Sequence, residues 1–181
     1  MGIMRLVVLV LLAVSFSSCL TLNGKKEKLP KGVEQFKVDL DNDMIAEVVE
    51  VTDRFDAQAD ALVTITKKDK EPSKNKVNTF TVPGRFTKIQ FIDLNNNDYK
   101  QIVVYYEAKG MLALVIYDIK DNRLSRLFTA ESSCGVDGDF DSGLSRVKIG
   151  KNKSGTADCS TEQLDTWELW AWSGEKFIKE H

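Results

Sequence analysis

The sequence predicts an all-β domain, built as a small β-propeller-like arrangement of about three four-stranded antiparallel sheets. Three observations carry that prediction. Past residue 32 the apolar residues fall in short runs parted by turn chemistry, and no segment holds a 3.6-residue apolar period for 12 residues or more. An acid-rich turn between two apolar runs recurs in register: "FKVDLDNDMIAEVVEV" (36–51) aligns without gaps on "QFIDLNNNDYKQIVVY" (90–105) once shifted by 54 residues. Some runs alternate while others, such as "MLALVIY", are apolar throughout, which is how strands covered on both faces by stacked sheets read.

The strands follow in order. "EQFKVDL" (34–40) leads into the first acidic turn, which is followed by three strands, "AEVVEVT" (46–52), "ALVTITK" (61–67) and "NTFTVPG" (78–84). "KIQFIDL" (88–94) and "QIVVYYE" (101–107) flank the second turn. "KG" at 109–110 links tightly to "MLALVIYDI" (111–119), and "KDNR" at 120–123 signals a hairpin into "RLSRLFT" (123–129). A looser third copy, "VDGDFDSGLSRVKIG", supplies "SRVKIG" (145–150), and "TWELWAW" (166–172) and "KFIKE" (176–180) follow, joined at "SGEK". The first strand, Glu34 to Leu40, has no group of its own in this count and is expected to complete the last sheet, removing an exposed edge.

The front of the chain has a different character. "MGIMRLVVLVLLAVSFSSC" carries Arg5, an apolar run from Leu6 to Val14, then small residues, the form of an export signal. Nine apolar residues are too few to span a bilayer, which takes about 20. Phe16, Ser17, Ser18 and Cys19 resemble the lipobox of bacterial lipoproteins. That resemblance implies a signal peptide over 1–18 and a Cys19 that carries diacylglycerol by a thioether and is N-acylated. An ordinary signal with an incidental cysteine is the competing reading. Residues 19–32, with the lysine-rich "LTLNGKKEKLPKG", read as a flexible tether reaching about 40 to 45 Å when extended, and 33–181 as the folded domain. The expected location is a bacterial envelope, lipid-anchored at the outer membrane, where several acyl chains hold a protein stably.

Formal charge is −2 for the whole chain, and nothing in its distribution recruits nucleic acid. Cys134 and Cys159 form an even pair in an exported protein, so a disulfide is expected. Closing that loop would constrain the unfolded chain by about 3 to 4 kcal/mol on the chain-entropy model. Two free buried thiols are the alternative.

The repeated turns resemble the FG-GAP or VCBS-type repeats of integrin α-chain propellers and of many bacterial exported proteins, whose strand ends in D-x-D-x-D-G, followed by an acid and a β run. The resemblance covers about residues 33–180 and implies a calcium-loop ancestry. Calcium takes six to eight oxygens, and alternate acidic positions on a tight loop aim them at one point. Loop one offers Asp39, Asp41, Asp43 and Glu47. Loop two keeps the oxygens in Asp93, Asn95, Asn97 and Gln101 but has lost three of four charges, and with them, by expectation, the metal. Loop three offers Asp137, Asp139 and Asp141. Position six, glycine in the family, is Met44, Asp98 and Ser142 here. In the competing reading these Asp and Asn residues only cap their own turns.

Catalysis lacks its usual groups. The single histidine is His181, the last residue, and no H-E-x-x-H, P-loop, G-x-G-x-x-G or zinc-type Cys/His cluster is present, so a non-enzyme is expected. Trp170, Trp172 and Tyr106 are candidates for exposed anchors of a protein partner, against the alternative that they pack between sheets. Three roles remain: a non-catalytic protein-binding module, an inhibitor of a lysozyme-like cell-wall hydrolase entered by an acidic loop such as "GVDGDFDSG", and a structural envelope protein.

Overall fold

A computed structural model describes residues 32–53, 60–140 and 145–180. The signal, Cys19 and nearly all of the tether lie outside the described residues, as does Asp141. Among the described residues there are twelve strands, no α-helix and a single 3-10 turn at Pro72–Lys74. The strands are β1 (Val33–Val38), β2 (Glu47–Thr52), β3 (Ala61–Lys67), β4 (Lys76–Val82), β5 (Arg85–Ile92), β6 (Gln101–Ala108), β7 (Met111–Lys120), β8 (Arg123–Ser132), β9 (Val136–Asp139), β10 (Arg146–Asn152), β11 (Leu164–Trp172) and β12 (Phe177–Lys179). They form three antiparallel four-stranded sheets, each a meander in chain order: β1 to β4, β5 to β8 and β9 to β12.

Local chemistry explains the reversals. The β6–β7 link uses Lys109 and Gly110 (φ 53° and 74°), and the β7–β8 link uses Asp121 and Asn122 (φ 51° and 59°). Two successive positive φ values mark the two-residue turn whose twist matches paired strands. Between the first and second sheets the chain passes through Gly84 at φ 78°, where a Cβ would lie 2.3 Å from the Glu107 carbonyl oxygen. Only glycine fits that crossing.

The sheets stack in chain order, with β5–β8 in the middle. Its alternate side chains serve two cores. Ile102, Val104, Tyr106, Ala113 and Val115 meet Val49, Val51, Val63 and Ile65 of the first sheet. Val103, Leu114, Ile116 and Ala130 meet Val147, Ile149 and Phe177 of the third. This two-sided burial is why β7 reads as a continuous apolar run rather than an alternating one. Ile102, Val103, Val104, Leu114 and Ile116 are all 0% exposed. Each such side chain contributes about 1.5 to 3 kcal/mol of burial, as an upper estimate.

Two sequence expectations are corrected here. The first strand does not complete the last sheet: β1 pairs β2 along its whole length, from Val33 opposite Thr52 to Val38 opposite Glu47. The tight acidic turn folds it straight back, so local pairing wins over the long return. The third sheet obtains its fourth strand from β9, which lies in the stretch read as an acidic loop and pairs β10 from Val136–Ile149 to Asp139–Arg146. Aspartate and glycine disfavour strands, but the aromatic edge of Phe140 lies against Gly138, where a Cβ would sit 2.2 Å from it. Among the described residues no strand ladder joins one sheet to the next, so the sheets stand as an open stack. Cys134 and Cys159 are at disulfide distance, Cα to Cα 4.9 Å, tying the start of β9 to the β10–β11 connection.

Candidate functional site

Loops one (39–46) and two (93–100) share four hydrogen bonds at matching positions. The Asp39 carboxylate accepts from the backbone N–H groups of Asp43 (3.2 Å) and Met44 (2.9 Å), and Asp93 accepts from those of Asn97 (3.1 Å) and Asp98 (2.6 Å). Asp43 then accepts from Ile45 N–H, and Asn97 from Tyr99 N–H. Glu47 Oε2 accepts from Leu40 N–H at 2.8 Å, and Gln101 Oε1 from Leu94 N–H at 2.9 Å. Backbone conformation repeats as well, with positive φ at Asn42 and Met44 (56°, 64°) and at Asn96 and Asp98 (52°, 66°). The turn-capping reading therefore accounts for the first position of both loops. Lys100 N–H donates to Leu40 C=O at 2.9 Å, fastening one loop to the other across the two sheets.

The loops differ at their centres. Asp39, Asp41 and Asp43 each place a carboxylate oxygen within 4.8 Å of the others, a cluster that could hold a metal ion. Into it reaches Lys67, the last residue of β3. Its Nζ lies 2.5 Å from Asp41 Oδ2, 2.6 Å from Asp43 Oδ2 and 3.5 Å from Glu47 Oε1. The register sets this up: Val48 pairs Thr66, so Lys67 falls across from Glu47 one step further on. In the second sheet Ile102 pairs Tyr117, which brings Asp118 across from Gln101, and Gln101 Nε2 donates to Asp118 Oδ1 at 3.1 Å. Charge is thus exchanged between the repeats: acids facing an ammonium in one, an amide facing a carboxylate in the other. Asn95 Oδ1 accepts from the Trp172 indole N–H at 2.9 Å, so this oxygen of loop two is matched by a protein donor.

Electrostatics follow the contacts. The hydrogen bond from Lys67 holds the Asp43 carboxyl below its ordinary value. Burial pushes Glu47 up against the opposing effect of Leu40 N–H, as expected for a carboxylate only 4% exposed. Burial alone would lower Lys67, but its hydrogen bonds to Asp41 and Asp43 and their charge raise it instead.

The other expected positions separate. Asp137 and Asp139 are strand residues of β9, with Asp137 Oδ1 accepting from Gly138 N–H, so the third acidic run is not a copy of the first two loops. Tyr106 is 3% exposed and belongs to the first core, with its hydroxyl donating to Glu131 at 3.2 Å. Burial, with Glu131 adding to it, pushes that phenol up to about 12. Trp170 and Trp172 pack partly buried between the second and third sheets, Trp170 on Phe128 (5.5 Å between ring centroids) and Trp172 on Phe177 (5.2 Å). The expectation of exposed anchors is therefore corrected for Tyr106, and the two tryptophans fill an inter-sheet space because large rings supply most area there. The exposed tryptophan is Trp167, at 40%.

Sequence reasoning missed Lys67, Asp118 and a trio of exposed apolar residues on the loops: Met44 (93%), Ile45 (51%) and Tyr99 (46%). Ile45 and Tyr99 hold the same position in the two repeats, a signal present in the alignment. No protein-family model, no curated protein and no solved structure matches this chain.

Proposed function

We propose that this chain is a non-catalytic binding module, lipid-anchored through Cys19 on a bacterial envelope, that engages a protein partner through the edge carrying loops one and two. The observation that carries the reading is the pair Ile45 and Tyr99, with Met44 beside them, held out to solvent on turns pinned by repeated hydrogen bonds. Apolar side chains on a rigid support lose little freedom on docking, which favours affinity. Beside Tyr99 stand Asp41, Asp43, Asp118 and Asp121 with Lys120, whereas Ile45 stands beside Asp43, Lys68, Lys70 and Lys74, so the partner should present apolar surface with basic groups facing Tyr99 and acidic groups facing Ile45. The acids beside Tyr99 keep inhibition of a basic lysozyme-like hydrolase as a second reading, now centred on that side of the loop edge rather than on "GVDGDFDSG". Calcium fits the all-oxygen donor set of loop one, but it would have to displace Lys67 to bind there.

The test compares full-length wild type with Ile45→Asp/Tyr99→Asp and with Val77→Asp, a control at another exposed apolar site. Capture of a discrete envelope or host protein should be lost in the loop variant and kept in the control, and a lysozyme assay run in parallel separates the inhibitor reading. Equal capture by all three chains would sink the loop-edge reading. Cys19→Ser should abolish palmitate labelling and release the chain from membranes.

A further inference from the structure

Loop one gathers four carboxylates, Asp39, Asp41, Asp43 and Glu47, near one point, and such a set needs a positive charge. Asp39 is engaged by backbone N–H groups, but the other three each place an oxygen near Lys67 Nζ, at 2.5, 2.6 and 3.5 Å. An ammonium carries donors and no acceptor, and here it hydrogen-bonds Asp41 and Asp43 while attracting Glu47 Oε1 by charge at ion-pair distance, as a small cation would attract all three. Two buried oxygens of the same group, Asp41 Oδ1 and Glu47 Oε1, have no hydrogen-bond donor, and Glu47 is more than nine-tenths buried. Hydrogen bonds within the turn do not require them, whereas a central cation attracts both. Loop two supplies the internal comparison. Where Lys67 would stand is Asp118, and the facing residue is the neutral Gln101.

We infer that Lys67 is a tethered cation that occupies the ion position of loop one, making the wild-type loop independent of metal, and that removing its ammonium opens an oxygen site for calcium. The tether matters because a lysine fixed on β3 neutralises the carboxylates at any external ion concentration, whereas a dissociable ion does so only above its dissociation constant. The inference concerns loop one alone and stands or falls independently of the partner-binding reading.

The experiment uses the full-length chain, wild type and Lys67→Met, titrated with calcium chloride and followed by thermal melting and calorimetry. Wild-type Tm should not move up to millimolar calcium. Lys67→Met should gain Tm with calcium, binding it at least tenfold tighter than wild type, and adding Asp41→Asn and Asp43→Asn should remove that gain. A wild type stabilised as much as the variant, or a folded variant indifferent to calcium, overturns the inference. A second measurement needs no variant: mass-spectrometric footprinting of the wild type with acetic anhydride should label Lys67 more slowly than exposed Lys68 and Lys70, with or without calcium. Labelling of Lys67 at their rate, or its acceleration by calcium, would show that the ammonium does not hold the site.

Discussion

Met44 shows how much a single backbone angle can cost. It sits at φ 64° with its side chain 93% exposed, so no packing offsets the left-handed conformation. That conformation costs an L-residue about 1 to 2 kcal/mol, of which the greater flexibility of an unfolded glycine takes back about 0.5 to 1. Met44→Gly should therefore stabilise the protein by about 0.5 to 1 kcal/mol, read as a higher urea midpoint. Asp98, at φ 66° in the equivalent place, tolerates the angle better, and Asp98→Gly should gain less. A lowered midpoint for Met44→Gly would mean that its side chain contributes a contact the exposure does not suggest. The two loops hold methionine and aspartate at this matching position, where the left-handed angle favours glycine.

The unit formed by a loop and its following strand turns on one buried acceptor. Glu47 in the first unit and Gln101 in the second satisfy the N–H of Leu40 and Leu94, both less than 9% exposed. Glu47→Ala should cost about 2 to 3 kcal/mol, since a buried donor loses a charged partner. Glu47→Gln, which copies the second unit, should cost less than about 1 kcal/mol at neutral pH. Because burial raises the Glu47 pKa in the folded state, its contribution is fully present below the ordinary glutamate value and is lost as pH rises through the folded value. Asp43, lowered by Lys67, works the other way, losing its contribution as pH falls. Replacing Glu47 by glutamine removes only the first dependence, so the substitution should cost more at about pH 4 than at about pH 7. Urea denaturation at both values checks this, and a cost that grows toward neutrality would mean that the Lys67 ion pair outweighs burial at Glu47.

At the scale of the molecule, the middle sheet contributes side chains to both cores. Ile102 belongs to the core shared with the first sheet, while all three tryptophans lie on β11 of the third. Ile102→Ala, at a site 0% exposed, should cost about 2 to 5 kcal/mol. If the stack unfolds as one, tryptophan fluorescence and circular dichroism should report the same lowered midpoint, although the cavity lies on the opposite face of the middle sheet from the tryptophans. Ile178→Ala, at 46% exposure, should shift either midpoint by no more than about 0.5 kcal/mol. Separate midpoints for the two probes would show that the third sheet, closed by Cys134 and Cys159, unfolds by itself.

Periodicity of two, turn pairs such as Lys109–Gly110, and the 54-residue repeat were enough to determine an all-β chain, its hairpins and the matching of loops one and two, because each depends on residues near one another in sequence. The unbroken apolar run of β7 likewise announced a strand covered on both faces. The partner of β1 was not legible, since an alternating strand carries no mark of which edge it will meet. β9 was hidden because aspartate and glycine oppose a strand until β10 and Phe140 are in place. Lys67 was the least legible of all. Nothing in "TITK" distinguishes it from a surface lysine, and the β2–β3 and β6–β7 hairpins differ in length, so Lys67 and Asp118 do not fall at the repeat spacing. Strand register alone carries that ammonium across to Glu47, and long-range charge then decides what the loop holds, because carboxylates gathered by local turns take whichever cation the tertiary fold brings to them.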